Sequence, residues 1–279
     1  MEEVVIIIGK RSNLSQVLSK SLDNTVLISA EKIKCDENIF DAYKQNEIIL
    51  IFNNFQPSIS LHDKDFRPLN YINNSITVTA IILSMISYDD NINKIIYTSS
   101  ASVYGNNNYS CEDDICSPLN LQASLKMSNE KMIQNFCILS NIDYTITRIF
   151  NMYGGFDNFS IISKIISSIK TRSALNIINN GSAIRDYIHI EDVVEVYKKL
   201  IRVKGIELIN IASGFGVSVR SILDLLKLND ININIKNVNQ EEIKISTAST
   251  SKLDVLVDTS KFIKVDKFVL EQIKDIRKQ

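Results

Sequence analysis

The chain has 279 residues, 45% hydrophobic and 23% charged, with 31 basic against 32 acidic side chains and a net charge of −1. This is the composition of an ordinary globular protein, one large domain or two tightly joined ones, with enough apolar residues for a core without staples. The balanced charge, free of long like-charge runs, argues against nucleic acid or a membrane surface as a partner.

The first predicted element is a strand over 4–8, a continuous β-branched run of the kind buried on both faces. A helix follows, with Leu14, Val17, Leu18 and Leu22 on one side. Further strands are expected at 25–29, 48–52, 94–99 and 144–149, and further helices at 69–87 and 121–139. Apolar strands alternating with helices predict an α/β, Rossmann-like fold with a doubly wound parallel sheet. Beyond about 150 the pattern loosens, with helices expected at 161–169, 192–202 and 219–226 and a strand at 174–178. We expect residues 1–155 to form a dinucleotide-binding domain. Residues 156–279 are expected to form a smaller α/β substrate-binding part interleaved with it, because no Pro/Gly/Ser linker separates the two. The four cysteines (Cys35, Cys111, Cys116, Cys137) lack metal-ligand or redox spacing. They read as free thiols in a cytoplasmic protein, with no bound metal, no leader and no membrane-spanning run.

The first strand runs into Gly9-Lys10-Arg11-Ser12-Asn13-Leu14-Ser15. A dinucleotide fold places three glycines in this turn: for the bend, for backbone approach to the pyrophosphate, and for helix–strand packing. Only Gly9 is present, and Ser12 and Ser15 stand where the other two belong. Serine is the smallest replacement that keeps a hydrogen-bond donor, and a helix N-terminus still favours an anion. The loop therefore either holds a pyrophosphate at a slightly larger standoff, or has lost the dinucleotide and leaves Arg11 solvated. The second strand ends at Ser29-Ala30, with no acid until Glu31. Together with Arg11, a cation for a 2′-phosphate, this predicts NADP(H) over NAD(H).

Residues 97–105 read Tyr-Thr-Ser-Ser-Ala-Ser-Val-Tyr-Gly, and 117–126 read Ser-Pro-Leu-Asn-Leu-Gln-Ala-Ser-Leu-Lys. Later come Arg148-Ile149-Phe150-Asn151-Met152-Tyr153-Gly154, Arg185-Asp186-Tyr187-Ile188-His189-Ile190-Glu191-Asp192 and Asn210-Ile211-Ala212-Ser213-Gly214. Together these segments resemble the extended short-chain dehydrogenase/reductases, the NAD(P)-dependent family of nucleotide-sugar epimerases, dehydratases and reductases. The resemblance spans nearly the whole chain and is weakest in the Gly-rich loop.

The resemblance implies that Ser100 bonds the reacting sugar oxygen and that Lys126 holds the nicotinamide ribose. It places Asn151 near the substrate diphosphate and Arg185, with its forked donors, near the nucleotide diphosphate. The implied cofactor contacts are Gly9, Arg11, Ser12, Asn13, Leu14, Ser29, Asn53, Phe150 and Lys126. Asn53-Asn54 replace the small residues that flank the cofactor in the family, which leaves two amides to reach a ribose or phosphate. His189 and Asp192 read as structural. The Arg that often precedes the closing Asp-x-Ser-Lys pattern is missing, and Lys252 is the candidate in its place.

Four residues before its Lys the family carries a Tyr; here that position is Gln122. A carboxamide donates a hydrogen bond but neither delivers nor accepts the proton that general acid–base chemistry moves. Two readings remain open. Another group on the loop after Gly105 acts instead (Tyr109, Glu112, Asp113 or Asp114), as in similar dehydratases that replace the Tyr with Met. Alternatively, turnover is lost and a binding fold remains. The first reading predicts 4-keto reduction or epimerisation of a nucleotide-linked sugar through a 4-keto intermediate, in surface-polysaccharide sugar synthesis. The Ser-Ala-Ser triplet lacks the Asp-Glu pair of the 4,6-dehydratases. The second predicts a catalytically silent protein that binds a nucleotide sugar or a partner enzyme, and a third reading is a nucleotide-sensing regulator. By the same resemblance, the apolar helices at 69–87 and 121–139 predict a homodimer joined by a four-helix bundle.

Overall fold

The β-branched run at the start of the chain forms strand β1 (Glu2–Ile8), and residues 4–8 are all buried. The computed structural model describes residues 2–53, 67–87 and 91–278. After β1 come α1 (Asn13–Ser21), β2 (Thr25–Ile28), α2 (Ala30–Cys35), β3 (Asn46–Phe52), α3 (Pro68–Ile72), α4 (Val78–Met85) and β4 (Ile92–Ser100). Then follow β5 (Tyr109–Ser110), α5 (Leu121–Ser140), β6 (Asp143–Ile149), β7 (Asn151–Tyr153), α6 (Ile161–Thr171), β8 (Leu175–Ile178), β9 (Ile184–His189) and α7 (Ile190–Leu200). The chain continues through β10 (Leu208–Ile211), β11 (Gly216–Ser218), α8 (Val219–Leu228), β12 (Ile235–Val238), β13 (Ile245–Ala248), α9 (Ser251–Leu256) and α10 (Val265–Lys278). A π-helical stretch (Asn73–Thr77) joins α3 to α4. No described helix is long and apolar enough to cross a membrane.

The chain folds as two units. The first comprises Met1–Val103, Pro118–Arg148 and Tyr197–Ile209. Its six-stranded sheet has the order β10-β6-β4-β3-β1-β2, and β1 runs parallel to both β2 and β3, as β3 does to β4. This is the doubly wound α/β sheet that the alternation of apolar strands predicts. The order reverses between β1 and β3, which makes the carboxyl ends of these two strands the topological switch point where such sheets take their ligands. Gly9 follows one and Asn53 follows the other. The core beneath them gathers Ile6, Ile8, Leu50, Phe52 and Ile95 from the strands, Val78 and Ile82 from α4, and Ile133 and Cys137 from α5.

One polar pair is sealed into this unit. Arg148 on β6 reaches Glu130 on α5 at 2.7 Å, with the two side chains 7% and 3% exposed. Glu130 also accepts the hydroxyl proton of Ser99 on β4. A buried carboxylate stripped of its cation is costly, so the pair fixes where α5 lies against the sheet.

The second unit comprises Tyr104–Ser117, Ile149–Val196 and Asn210–Gln279. Its main sheet runs β11-β9-β13-β5, with β7 paired to β9, and β8 and β12 form a separate parallel pair. Tyr153 is its hub. The hydroxyl donates to the Ile263 carbonyl at 2.8 Å, and the ring stands edge-on to His189 and Phe268, with centroids at 5.1 and 5.2 Å. The next residue, Gly154, has φ +93°, and a Cβ there would stand 2.4 Å from His189 Nε2.

Helices and strands fall close to their expected positions, the helix predicted from 192 beginning at Ile190. The four cysteines are free thiols. Absent from the sequence reading are α2, β5, β7, β9 to β13, α9 and α10. The first two are too short to show a period, and β9 lies inside a segment read for its motif. Replacing Arg148 by Met leaves Glu130 buried without its cation. Urea unfolding is expected to show a loss of about 3–5 kcal/mol, most of it recovered by Arg148→Met combined with Glu130→Leu.

Candidate active site

In the first unit, Gly9 leaves β1 with φ +107°, a conformation glycine adopts at no steric cost. Its N–H and that of Lys10 both donate to the Ile28 carbonyl, at 2.8 and 3.2 Å, which ties the turn to β2. Ser12 is the N-cap of α1, its hydroxyl oxygen accepting the Ser15 N–H at 3.1 Å. Asn53, at the carboxyl end of β3, sends its Nδ2 protons to Ser12 Oγ (2.7 Å) and Ser15 Oγ (2.8 Å). Asn13 is half-buried, and Leu14 is buried under the first turn of α1. Arg11 is exposed and pairs with Glu31 at 2.6 Å. Ser29 caps α2 by accepting the Lys32 N–H at 3.2 Å. Asn54 lies outside the described residues.

The end of β4 and the first half of α5 bring the catalytic candidates together. Asn120 caps α5 through its side-chain oxygen and the Ala123 N–H, at 2.9 Å. Gln122, Lys126 and Glu130 then recur every four residues, which puts them on one face of the helix. Lys126 Nζ donates to the Thr98 carbonyl at 2.6 Å and sits 5.1 Å from the centroid of the Tyr97 ring. Burial draws its ammonium down to about 8, against the Glu130 carboxylate, which holds it up. Thr98 is itself braced: its hydroxyl meets Tyr197 OH at 2.6 Å, which meets Thr147 Oγ1 at 2.7 Å. Ser100 is half-buried and its Oγ accepts from the Ser102 N–H (3.2 Å) and the Ser102 hydroxyl (3.0 Å). Gln122 is half-buried one turn before Lys126.

In the second unit, Phe150 is buried, its N–H donating to the Ile211 carbonyl at 3.0 Å and its ring 6.4 Å from that of Tyr104. Asn151 donates from Nδ2 to the Asp186 carbonyl at 3.0 Å. Arg185 donates to the Ile184 carbonyl (2.9 Å) and to Glu242 (3.3 Å), so its guanidinium is already partly engaged. His189 is buried and accepts the Glu191 N–H at Nδ1. Asp192 accepts the Ile263 N–H at 2.9 Å, and burial lifts its carboxyl to about 6.

Of the four candidate replacements for the Tyr, Glu112 is buried and accepts the Asn210 N–H at 2.8 Å. Asp114 accepts the Cys111 N–H (2.7 Å) and an amide proton of Asn107 (2.8 Å). Asp114 thus holds its own loop, and Glu112 ties that loop to Asn210. Asp113 is 92% exposed and lies 3.5 Å from Lys252, and Tyr109 is exposed on β5. Sequence reasoning missed Thr98 and Glu130 beside the candidate site residues. The four-residue spacing of Gln122, Lys126 and Glu130 was a usable signal for the last.

The NAD dependent epimerase/dehydratase family matches residues 8–212. Protein CapI of Staphylococcus aureus is 34% identical over 140 residues, 49% of this chain and 42% of CapI, so the match spans less than half of that relative. The UDP-glucuronate 4-epimerase of Thermodesulfobacterium geofontis is 23% identical over 238 residues, 82% of this chain and 72% of that protein. Among solved structures, MoeE5 in complex with UDP-glucuronic acid and NAD superimposes with a TM-score of 0.86 at 19% identity, covering 99% of both chains. The UDP-glucuronic acid 4-epimerase from Bacillus cereus, in complex with UDP-glucuronic acid and NAD, gives 0.83 at 19% identity and the same coverage. At that identity the likeness is one of fold. The family match runs from the last residue of β1 to just past β10 and so takes in the loop, the Lys126 stripe and the β7 and β9 segments: this chain belongs to the NAD dependent epimerase/dehydratase family.

Proposed function

We propose that the protein is a pyridine-dinucleotide-dependent enzyme that epimerises or reduces a UDP-linked sugar at C4. The observation that carries this reading is Lys126, whose amine is drawn out of bulk water and fixed on the Thr98 carbonyl although the neighbouring phenol is gone. A lysine kept only for solubility would extend into solvent.

The donor set fits a dinucleotide. The bend at Gly9 delivers the chain to the first turn of α1, where the Leu14 N–H has no acceptor within the helix, as at any helix start. The Ser12 and Ser15 hydroxyls flank that turn. Gly9, Asn13 and Leu14 would face the pyrophosphate, Ser29 the adenosine ribose, Lys126 the nicotinamide ribose, and Phe150 would lie beside the nicotinamide. The bound dinucleotide supplies the oxidant for the sugar alcohol and the reductant for the ketone. Ser100 orients the sugar oxygen and relays the proton it loses or gains to or from solvent water, Lys126 offers an ammonium to ribose hydroxyls, and Gln122 donates a hydrogen bond without moving a proton. Asn151 and Arg185 are assigned to the substrate diphosphate. Arg11 led the sequence reading to NADP(H). Its pairing with Glu31 sets a carboxylate beside it that favours a 2′-hydroxyl and repels a 2′-phosphate, so NAD(H) is the cofactor we assign. NAD is also the dinucleotide in the two solved relatives. A place in surface-polysaccharide sugar synthesis rests on the sequence resemblance, and a cytoplasmic location on the four free thiols.

The competing reading, a silent nucleotide-sugar or partner-binding protein, draws on Gln122. Titration with NADH and NADPH, followed by nicotinamide fluorescence, separates the two. We expect saturable binding with NADH the tighter ligand, and Gln122→Tyr is expected to raise turnover on 4-keto UDP-sugars. Dinucleotide binding without turnover in either form favours the silent protein.

Lys126 makes a pH prediction. Its folded pKa lies below the ordinary lysine value, so between about 8 and 10.5 the unfolded chain keeps a proton that the folded chain releases. Its contribution to stability therefore rises with pH across that window. Urea unfolding at pH 7.5 and 9.5 should show the difference between wild type and Lys126→Met moving toward wild type at the higher pH.

We further assign a homodimer. Leu69 and Ile72 on α3 are 65% and 37% exposed, and Ile138 and Leu139 at the end of α5 are 61% and 88% exposed. Light scattering at micromolar concentration is expected to give twice the chain mass, and Leu69→Lys with Leu139→Lys to give one chain mass.

A further inference from the structure

Thr98 is gripped from two sides. Strand alternation puts the Tyr97 ring and the Thr98 side chain on opposite faces of β4. The Tyr97 ring packs in the core with Val78 and Ile82 of α4 and Ile133 of α5, and Lys126 Nζ lies 5.1 Å from its centroid. The Thr98 hydroxyl turns the other way and meets Tyr197 OH, on α7, at 2.6 Å. The Thr98 carbonyl accepts Lys126 Nζ at 2.6 Å. One residue thus joins the helix that carries Lys126 to a helix on the far face of the sheet. Tyr197 is fully buried, so it acts on a ligand only through its neighbours.

The hydrogen bonds run in one direction. Thr147 on β6 donates its hydroxyl proton to the Tyr97 carbonyl at 3.2 Å, and a carbonyl only accepts. The proton between Thr147 Oγ1 and Tyr197 OH, 2.7 Å apart, therefore comes from the phenol. The phenol oxygen in turn accepts from Thr98. All three hydroxyl protons are spent, and the chain starts and ends on adjacent residues of β4, closing a loop through β6 and α7. The ladder between β3 and β4 ends at Phe52 and Tyr97, so Thr98 is the first residue past it on that side. A carbonyl beyond the end of a ladder lacks one restraint, and the hydroxyl chain supplies it. Burial pushes the Tyr197 phenol up to about 12, which makes it a neutral link and not a stand-in for the phenol missing at Gln122.

We propose that Tyr197 is a positioning residue for the dinucleotide: through Thr98 it fixes the carbonyl that holds Lys126, and so sets how firmly Lys126 meets the nicotinamide ribose. This deepens the reading of Lys126 above and rests on it. A side chain that touches no ligand then tunes the site from the opposite face of the sheet.

The test is fluorescence titration of the full chain with NADH, as a double-mutant cycle of Tyr197→Phe and Lys126→Met, with thermal unfolding recorded for each protein. Lys126→Met removes a hydrogen bond from a charged donor and is expected to weaken NADH about tenfold or more. Tyr197→Phe alone is expected to weaken it about fivefold. Added to Lys126→Met it should cost nothing further, because the group it acts through is gone. A merely structural role would lower affinity by the same factor in both backgrounds. Calorimetric titration with ADP, which lacks the nicotinamide ribose, should give one affinity for wild type and Tyr197→Phe. Where Tyr197→Phe does not fold, Thr147→Val takes its place in the cycle, since it keeps the side-chain shape and removes the phenol's acceptor. Equal losses in both backgrounds, no loss in a folded Tyr197 or Thr147 variant, or an equal loss of ADP affinity overturns this proposal and leaves the dinucleotide reading standing. If Lys126→Met binds NADH as wild type does, the Lys126 contact falls and this proposal with it. If wild type binds neither NADH nor NADPH, the dinucleotide reading falls as well.

Discussion

A polar stripe on α5 is what the half of the first unit that carries Ser100 and Lys126 is built around. Gln122, Lys126 and Glu130 share a helix face, and two of them are fastened to the end of β4, Lys126 on the Thr98 carbonyl and Glu130 on the Ser99 hydroxyl. Glu130 is in turn neutralised by Arg148 from β6. Each of these groups is costly to bury alone, and together they satisfy one another. The register of α5 against the sheet is therefore set by charge and hydrogen-bond geometry as much as by the apolar contacts of Ile133 and Cys137. Any ligand that meets Ser100 and Lys126 meets groups held by this clamp.

The same clamp explains why losing the phenol need not dissolve the site. A Gln in place of a Tyr at position 122 takes a titrating group from the half-buried first turn of the stripe and leaves its anchored end intact. Thr98 remains braced through Tyr197 to Thr147, and Lys126 keeps its acceptor. By contrast, the carboxylates offered by the loop after Gly105 are partly spent, since Glu112 and Asp114 hold backbone N–H groups of their own unit. Architecture and proton chemistry are thus separable here: the clamp of Lys126 and Glu130 on β4 holds without a phenol on this face of α5.

At the switch point the trade is between space and hydrogen bonds. Glycine lets a backbone approach a phosphate; serine takes up that space and returns a hydroxyl. Three such trades made at separate places in the sequence are compatible because the side chains satisfy one another across the gap between β1 and β3. Read singly, Ser12, Ser15 and Asn53 look like erosion of a motif. Read together, they are one hydrogen-bonded cluster at a helix start.

The amino-acid sequence by itself determined the fold class, because uninterrupted β-branched runs such as 4–8 and 48–52 can only be buried on both faces of a parallel sheet. It also located Ser100, Gln122 and Lys126, since short spacings within one strand end and one helix survive in any frame. It did not reveal α2 or β7, whose few residues carry no period, nor the partner of Arg185, which lies 57 residues away at Glu242. Only the tertiary structure decided that Arg148 belongs to Glu130, that Arg11 belongs to Glu31, and that Asn53 joins the two serines. Those pairings depend on which strand ends and helix faces become neighbours in the sheet, and that is a property of the closed fold rather than of any local stretch of chain.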